Sequence, residues 1–441
     1  MPIILRICIT KSLTFSMIDD IIIIYHTKIK RFWHDKLSFG YNHIKRGVIM
    51  PYELKKLFHF DRSKYEEEYA KRFNSDETVH FDFKIGGKQA FVCQNSEILK
   101  LIISIERTNT KIACARNKLP KIAILEFARR CLIDEIILSN NIEGVHSTRK
   151  EISAILSDLS EKNKRKRFYG LVKKYEKLMT ADKISLETCE DIRKIYDELF
   201  LEEVKEYDPQ NVPDGKIFRK SSVSVYSPTQ KEIHQGLNPE EKIIEVMTVA
   251  LSLLKNEKLD ILVRISLFHY LFGYIHPFYD GNGRTSRFIS SYLLSKELNN
   301  LVGYRISYTI KENLSKYYKA FEVCNHPLNK GELTLFVEMF LNIIDMSQNQ
   351  LLSALEERAE HLSKYLEILD KMFGKEESRM KTFYFILVQA ALFSNIGISA
   401  KELAKIVDVS ENTMRSMLKR MPQNMLIINK SEKPYHYLMN L

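Results

Sequence analysis

Glycine and proline are scarce in this sequence, with 15 and 11 copies among 441 residues. Collagen-like, linker-rich and disordered chains contain far more of both, so these classes are excluded. Glycine and proline are also the residues that weaken a helix most. Together with long runs rich in Leu, Ile, Lys and Glu, their scarcity predicts a mainly α-helical protein, and the length is enough for roughly two to four domains.

Paired cysteines and long apolar runs are also missing. The six cysteines are scattered and none forms a CxxC pair, so we expect reduced thiols in a reducing compartment. The best candidate for a membrane span, residues 21–25, is only five residues long. The N-terminus lacks a signal-peptide pattern. We therefore expect a cytoplasmic protein with no membrane partner.

The net charge of +11 is concentrated at the two ends of the sequence. Residues 1–49 and residues 379–441 each contribute +5, so the middle of the chain is nearly neutral. This distribution argues against one large nucleic-acid-binding surface in the middle of the chain.

Residues 1–49 differ from the rest of the sequence. They contain the only tryptophan, Trp33, and show no sustained helical or strand period, whereas a conventional soluble sequence begins at Met50. Two interpretations stay open: translation starts at Met50, or the segment is a basic arm. The intact mass of the native protein distinguishes them.

The pattern of the remaining sequence divides it into four segments. A β-hairpin is predicted where alternating apolar residues flank Gly86 and Gly87. Amphipathic and buried helices follow, and the one at 258–275 is apolar nearly all round, which places it at the centre of a helical domain. The segments are 50–96 with the hairpin, 97–345 as the main helical domain, 346–378 as a helical connector, and 379–441 as a small C-terminal domain.

The C-terminal segment has the pattern of a winged helix-turn-helix domain. A helix precedes the capping box Ser399–Glu402, and Ser410 caps a second helix that ends near Arg420, followed by two β-like stretches. Basic residues on the second helix and between the stretches can contact DNA phosphates. They are Arg415, Lys419, Arg420, Lys430 and Lys433. The alternative is a small packing or dimerisation module with a solvated basic face.

The most informative stretch is HPFYDGNGRTSR, residues 276–287, between the buried helix and another predicted helix. Gly281 and Gly283 permit a backbone whose N–H groups converge on an anion at a helix N-terminus. Arg284 and Arg287 are three residues apart and therefore lie on one face above that site. A backbone anion site with two guanidinium groups fits a polyphosphate.

Two further residues of this stretch complete a candidate catalytic site. A carboxylate at Asp280 would be repelled by phosphate unless a divalent cation joined them, which indicates Mg²⁺. His276 lies where a base can take a proton from an attacking hydroxyl group. The spacing differs from that of a P-loop, and no second His or Cys stands at zinc-ligand spacing. The alternative is a glycine-rich turn with solvated arginines.

The stretch 276–287 resembles the signature of the Fic-domain family, HPFx(D/E)GNGRxxR, and matches it at every defined position. The resemblance covers about residues 97–345. It implies a Fic-type helical core with a β-hairpin flap, and a catalytic domain that uses Mg²⁺ and transfers AMP from ATP to a hydroxyl group of a target protein.

The resemblance also implies a role for each residue of the motif. His276 would be the general base on the target hydroxyl group, Asp280 would hold Mg²⁺, and Phe278 would anchor the loop in the core. The phosphate contacts would be Gly281, Asn282 and Gly283 to the α- and β-phosphates, Arg284 to the β-phosphate, and Arg287 to the γ-phosphate. A relative that uses ATP as a phosphate donor has lysine at the position of Gly283, so glycine favours nucleotidyl transfer.

Residues 139–144 match the family's inhibitory pattern (S/T)xxxE(G/N) at the end of a helix upstream of the core. This arrangement is that of the class with an N-terminal inhibitory helix. The resemblance implies that Glu143 pairs with Arg287 in place of the γ-phosphate and that Ser139 bonds locally to hold the helix. The alternative is an ordinary helix end with Gly144 as its C-cap.

Two other stretches resemble the family less closely. Residues 215–223 resemble the flap hairpin, which would hold a target loop by strand addition. Three residues after the signature stand at the family's spacing for the adenine pocket, and core packing is the alternative for the two tyrosines among them. The residues concerned are Arg219 and Val223 in the flap, and Tyr317, Tyr318 and Asn325 in the adenine pocket. His269 is predicted to be a hydrogen-bonded core residue.

Three hypotheses about function follow. The first is a protein adenylyltransferase, inhibited by Glu143, whose partners are ATP, Mg²⁺ and a protein with a free Ser, Thr or Tyr hydroxyl group, with self-modification included. The second is the reverse reaction, in which Glu143 orients a water that removes AMP from a modified target. The third is a DNA-binding regulator with a nucleotide-sensing Fic-type core. A homodimer is also expected, because relatives with this inhibitory arrangement often pair.

Overall fold

The computed structural model describes residues 53–441 except 165, 181, 227–231, 375–377, 395 and 431–432. Residues 1–49, with their two open interpretations, lie outside the described residues. The described part is mainly helical with three small antiparallel sheets, which confirms the predicted mainly α fold class. Within this part, no helix is both long enough and apolar enough to cross a membrane.

Two helices and a hairpin form the N-terminal region: α1 (Leu54–Phe60), α2 (Arg62–Phe73), β1 (Thr78–Ile85) and β2 (Lys88–Cys93). The predicted hairpin is confirmed. Gly86 and Gly87 form its turn with φ angles of 56° and 79°, a region that favours glycine. The backbone N–H of Phe91 donates to the carbonyl of Gly331, so the hairpin is joined to the helical core.

The central region is a succession of helices and one further hairpin. In chain order the elements are α3 (Ser96–Asn117), α4 (Lys121–Ile142), α5 (Arg149–Ser157), α6 (Tyr169–Thr180), α7 (Cys189–Tyr196), α8 (Glu202–Tyr207), β3 (Ser224–Tyr226), β4 (Glu232–Gln235), α9 (Glu240–Leu253), α10 (Ile261–Ile275), α11 (Asn282–Glu297), α12 (Asn300–Gly303), α13 (Ile306–Glu312) and α14 (Leu314–Asn325). Most side chains of α10 are completely buried, among them Leu267, Phe268 and Leu271, because the helix packs against α9, α11 and the long helix that follows α14. The predicted central helix is therefore confirmed.

That long helix, α15 (Thr334–Phe373), has 40 residues and runs through the predicted boundary between 345 and 346. No glycine or proline interrupts it until Gly374, so nothing in the sequence ends the helix at that boundary. Its first half packs in the core, and the predicted leucine face beyond it is buried. The buried leucines are Leu351, Leu355, Leu362 and Leu369. The connector is thus the continuation of a core helix.

The C-terminal region consists of α16 (Arg379–Phe393), β5 (Ile398–Ser399), α17 (Ala400–Val407), α18 (Glu411–Arg420), β6 (Leu426–Asn429) and β7 (His436–Met439). The capping box of Ser399 and Glu402 begins α17, and the Ser410 side chain caps α18, as the sequence predicts. The three strands form one antiparallel sheet in the order β5-β7-β6. α16 packs against both α15 and α4.

The flap hairpin differs from its prediction. Residues 215–223 are irregular, and the strands β3 and β4 follow them. The reason is that the Glu240 carboxylate accepts the backbone N–H groups of Lys216, Ile217 and Phe218 at 3.0, 2.7 and 2.9 Å. Backbone donors that bond to a carboxylate cannot join a strand ladder.

Candidate active site

The motif loop joins two buried helices through two residues in the left-handed region. α10 ends at Ile275 and is followed by His276, with φ 52°, and α11 begins after Gly281, with φ 75°. The Arg219 side chain supports the first of these turns, because its Nε donates to the His276 carbonyl at 2.9 Å. The backbone of His276 is therefore held by a hydrogen bond to its carbonyl as well as by its place at the end of α10.

The Asn282 side chain braces the loop. Its Oδ1 accepts the Phe278 N–H at 2.9 Å and its Nδ2 donates to the Phe278 carbonyl at 2.8 Å. Phe278 is completely buried and stacks on Tyr196, with ring centroids 3.8 Å apart, which confirms its predicted role as a core anchor. The side chain of Asn282 is thus directed into the loop, and only its backbone N–H faces the helix N-terminus.

The first turn of α11 lies where the sequence predicts an anion site. Its leading N–H groups, which belong to Asn282, Gly283 and Arg284, have no intrahelical acceptor, and the helix dipole favours an anion there. Gly283 allows close approach, because a Cβ at this position would lie 2.1 Å from Oε1 of Glu143. The space above this glycine is therefore filled by the predicted inhibitory carboxylate.

Arg284 is buried yet incompletely paired. Its Nη2 donates to Oδ2 of Asp280 at 2.9 Å, its Nη1 lies 3.7 Å from Oε1 of Glu203, and its guanidinium group lies 4.4 Å from the Phe200 ring centroid. Nε and Nη1 have no hydrogen-bond partner among the described residues. Buried guanidinium donors without acceptors fit a phosphate oxygen.

Arg287 is held by both residues of the predicted inhibitory pattern. Its Nε donates to Ser139 Oγ at 3.0 Å and its Nη2 to the Ser139 carbonyl at 2.9 Å. Nη2 also lies 2.8 Å from Oε1 of Glu143. Burial favours the neutral acid at Glu143, but the charge and hydrogen bond of Arg287, with smaller contributions from Arg284 and His276, lower the pKa of Glu143.

His276 is neutral at physiological pH. Burial lowers the pKa of its imidazole to about 4; Glu143 raises it, and Arg219 and His234 lower it further. A neutral imidazole has a free lone pair and can accept a proton. The histidine is therefore in the form that a general base requires.

Asp280 can hold a cation only with help from other ligands. Its side chain is 45% exposed and pairs with Arg284. Among the described residues, no group of three His, Cys, Asp or Glu side chains is placed to hold a metal ion. One carboxylate with phosphate oxygens and waters is nevertheless the usual way to bind Mg²⁺, so this donor set fits that ion.

The predicted adenine-pocket residues form internal contacts. The Tyr317 hydroxyl bonds to Nε2 of His269 at 2.8 Å, and Oδ1 of Asn325 accepts the Tyr270 hydroxyl at 2.6 Å. Tyr318 is partly exposed beside Tyr317. Buried, hydrogen-bonded packing agrees with the alternative interpretation for Tyr317, and the adenine-pocket role stays a prediction.

His269 is confirmed as a satisfied core residue. It is completely buried, and its Nδ1 lies 2.8 Å from Ser290 Oγ and 3.1 Å from Ser286 Oγ. Burial lowers its pKa to about 3, so the ring is neutral.

The two flap residues are placed differently from each other. Arg219 is completely buried and donates to the carbonyls of His276, Ser221 and Leu237, so its side chain is directed inward and not toward a target. The Val223 carbonyl accepts the Gly236 N–H at 2.9 Å, which extends the β3–β4 hairpin. Arg219 thus positions the loop that begins at His276.

Two contributors to the site are not predicted from the sequence. Glu203 faces Arg284, and Glu240 holds residues 216–218 through their backbone N–H groups. No motif or local spacing marks these two residues, and only the three-dimensional contact identifies them. Arg219 is predicted as a flap residue, and the structure places its guanidinium group on the carbonyl of His276, 57 residues further along the chain.

Comparison with known proteins agrees with the motif. Residues 186–294 match the model of the Fic/DOC family, so the chain contains a Fic/DOC domain in this range, which includes the motif loop. Similar solved structures include a Fic family protein from Desulfovibrio desulfuricans G20, with 18% identity over 78% of this chain and 96% of that one and a TM-score of 0.49.

Two other similar structures have lower scores. One is a Fic domain containing signaling protein from Bacteroides thetaiotaomicron, with 18% identity over 58% of this chain and 97% of that one and a TM-score of 0.42. The other is Fic-1 from C. elegans, with 17% identity over 68% and 80% and a TM-score of 0.43. All three TM-scores lie below 0.5. The assignment of the domain therefore rests on the family match at residues 186–294.

Proposed function

We propose that this protein is an adenylyltransferase that transfers AMP from ATP to a hydroxyl group of a target protein and is inhibited by its own Glu143. The observation that carries the proposal is the 2.8 Å contact between Glu143 and Arg287, above the glycine-lined N-terminus of α11. In this arrangement an acidic side chain takes the place that a phosphate would occupy.

The residues present fit a triphosphate with Mg²⁺. Two buried guanidinium nitrogens of Arg284 have no hydrogen-bond partner among the described residues. Arg287 donates to Ser139 and pairs with Glu143, and phosphate oxygens could replace these acceptors. Asp280 would hold Mg²⁺, which when bound neutralises phosphate charge and orients the leaving group. Gly283 allows the phosphates to approach the backbone.

The proposed reaction is an in-line displacement at the α-phosphorus. The oxygen of the target hydroxyl group forms a bond to that phosphorus, the bond to the bridging oxygen breaks, and pyrophosphate leaves. His276, neutral before the step, takes the hydroxyl proton. Arg284 and Arg287 stabilise the charge that develops on the leaving group, and most of the rate comes from positioning and charge stabilisation.

Replacing Glu143 with glycine tests this proposal. Purified wild-type, Glu143→Gly and Glu143→Gly/His276→Ala proteins are incubated with Mg²⁺ and α-labelled ATP, and covalent label is measured by mass and autoradiography. We expect label in Glu143→Gly, little in the wild type, and none in the double variant. A folded Glu143→Gly protein that incorporates no label contradicts the proposal, and loss of AMP from a premodified protein would assign the reverse reaction instead.

The C-terminal region supports a second candidate function, DNA binding by a winged helix. α17 and α18 with the sheet β5-β7-β6 have the element order that such a domain requires. α18 exposes Lys419 and Arg420 in its last turn, whereas Arg415 pairs with Glu411 at 2.6 Å. Two cations not paired in the described structure, on an exposed helix, can contact phosphates.

A gel shift on the full-length protein tests the second candidate. We expect mixed-sequence duplex DNA to bind, with an affinity that falls steeply between about 50 and 200 mM salt. Such a fall is typical of a protein that releases counterions from several phosphates when it binds. Lys419→Glu/Arg420→Glu should abolish binding. The matched control is Lys64→Glu on α2, another exposed lysine. Equal binding by all three proteins contradicts DNA recognition by α18.

A further inference from the structure

Glu135 is a completely buried carboxylate on α4, the helix that ends beside Glu143, and it takes no part in the proposed chemistry. Its Oε2 accepts the Ser307 N–H at 2.8 Å. Its Oε1 accepts the Ser307 hydroxyl at 2.5 Å and the Ser291 hydroxyl at a longer 3.4 Å. Three donors therefore converge on one buried acceptor group.

Glu135 continues the row of inhibitory residues along one face of α4. Glu135, Ser139 and Glu143 are spaced by four residues, so they lie above one another on the helix. On the facing helix α11, Ser291 and Arg287 are also four residues apart and contact Glu135 and Ser139 in antiparallel order. The two helices thus meet along matched polar faces.

We propose that Glu135 is a positioning residue that fixes the inhibitory helix α4 in the register at which Ser139 and Glu143 reach Arg287. The inference rests on the proposed function, because it concerns the regulation of the same site. A shift of α4 by one residue moves Glu143 along the axis by about 1.5 Å. That is enough to break a hydrogen bond of 2.8 Å.

The hydrogen-bond pattern of the site favours an ionised carboxylate. All three neighbouring groups donate to it, and an ionised carboxylate is acceptor-only. Glutamine at this position would keep one oxygen for the Ser307 N–H, but its amide N–H groups would require the serine hydroxyls to turn and accept, and the charge-assisted character of all three bonds would be lost. Ser307 belongs to α13, so the bonds of Glu135 also tie α4 to a third helix.

Titration of Glu135 gives the inference a pH signature. Burial raises the pKa of Glu135 to about 7, although the hydrogen bonds of Ser307, the charge of Arg287 and the bond of Ser291 oppose this. The ionisable groups that face it are Arg287 from α11 and Tyr175 from α6. As the pH falls below about 7, the Glu135 carboxylate gains a proton and is no longer acceptor-only. Its hydrogen bonds to Ser307 and Ser291, which fix α4, should therefore weaken.

Three variants test the inference in the full-length protein. Glu135→Gln removes the carboxylate, Ser307→Ala removes one donor with less risk to folding, and Glu126→Gln is the control. Glu126 lies on the same helix, and burial raises its pKa too, but its electrostatic neighbours are Arg129, Glu402 and His436 and do not include Arg287. Each variant is compared with wild type and Glu143→Gly for label from α-labelled ATP and for hydrogen exchange of residues 136–145.

We expect Glu135→Gln to raise self-labelling about tenfold, the scale expected when a hydrogen bond to a charged group is lost. Ser307→Ala should raise it less and Glu126→Gln not at all, with faster exchange of residues 136–145 in the first two only. In a Glu143→Gly background, Glu135→Gln should add nothing. The labelling of the wild type, divided by that of Glu143→Gly, should rise as the pH falls through about 7. The labelling of Glu135→Gln, divided by that of Glu143→Gly, should not change over the same pH range.

The two proposals fail in different ways. If Glu143→Gly is labelled while Glu135→Gln changes neither labelling nor exchange, the positioning role is overturned and the proposed function stands. If Glu143→Gly is not labelled, the proposed function fails. The inference about Glu135 is then tested by hydrogen exchange of residues 136–145, because this measurement does not depend on catalysis. Unchanged protection of these residues in Glu135→Gln overturns the inference.

Discussion

At the scale of single residues, Gly283 is the position where a side chain would compete with the phosphates of the proposed nucleotide. A Cβ there would lie 2.1 Å from Oε1 of Glu143 and 2.9 Å from Nη1 of Arg287. Both contacts involve the far ends of flexible side chains. The protein without nucleotide can therefore accommodate a methyl group here. A methyl group and a phosphate cannot occupy this space at the same time.

We predict that Gly283→Ala in the Glu143→Gly background raises the KM for ATP by at least about tenfold, or about 1.4 kcal/mol, without lowering the melting temperature. The Glu143 side chain is absent in this background, so the methyl group meets only the phosphate and the Nη1 end of the Arg287 side chain. Initial rates against ATP concentration, with melting curves alongside, measure this. An unchanged KM would show that the phosphates do not approach Gly283.

The protonation of His276 leads to a prediction about pH. Burial lowers its pKa to about 4, and removing Glu143 takes away the anion that raises it. The Glu143→Gly enzyme should therefore lose no activity to protonation of His276 between pH 8 and about 5. A pH–rate profile of the initial labelling rate measures this, and a half-maximal loss near pH 6.5 would mean an ordinary, solvated histidine.

The motif residues could be predicted from sequence because their chemistry is local. His276, Asp280 and Arg287 stand within twelve residues, and the spacing of Ser139 and Glu143 places both on one helix face. The contact of Glu143 with Arg287 was implied by the resemblance, and the structure contains it. Glu135 was not found, because one buried glutamate in a helical pattern differs from the exposed ones only through its tertiary neighbours.

At the scale of elements, residues 215–223 show how one carboxylate keeps a segment out of a strand. The resemblance predicts a hairpin at residues 215–223, yet Glu240, at the start of α9, accepts three of the backbone N–H groups of this stretch. This fold of the segment places Arg219 under His276. Sequence could not show it, because the partner lies more than twenty residues away.

We predict that Glu240→Gln lowers the free energy of unfolding by about 1–3 kcal/mol, since backbone donors lose their charged acceptor. It should also slow labelling in the Glu143→Gly background through Arg219. The neighbouring exposed Glu241→Gln is the matched control and should change neither. Urea unfolding and initial labelling rates measure both effects, and identical behaviour of the two variants would contradict the account.

The pH dependence of this contribution has a definite sign. Burial raises the pKa of Glu240, but the backbone N–H groups of Ile217, Phe218 and Lys216 lower it overall. Its stabilising contribution is therefore complete above the ordinary pKa of a glutamate and is lost as the pH falls through the lower, folded-state value.

At the scale of the whole molecule, Arg358 is one of the residues that join the C-terminal region to the helical core, together with the ion pair of Lys381 on α16 and Asp370 on α15. The Arg358 Nε on α15 donates to the Leu392 carbonyl of α16 at 3.1 Å, and its guanidinium group lies 4.9 Å from the Phe127 ring centroid on α4. Helix α4, which contains Ser139, and helix α16 of the C-terminal region therefore contact the same arginine.

We predict that Arg358→Ala speeds hydrogen exchange within α16 by about tenfold, because a carbonyl loses its charged donor and an aromatic ring loses its cation. Lys364→Ala, on the same helix and in an exposed ion pair with Glu360, should leave exchange in α16 unchanged. Equal exchange in both variants would mean that Arg358 does not join the two parts.

The central claim is that His276 and the two arginines converge on the phosphates of one nucleotide. A crystal structure of the Glu143→Gly protein with Mg²⁺ and a non-hydrolysable ATP analogue tests it most directly. We predict an α-phosphorus facing the His276 ring, β- and γ-phosphates against Arg284 and Arg287, and Mg²⁺ on Asp280. A nucleotide bound elsewhere, or an imidazole turned away from the α-phosphorus, would contradict the account.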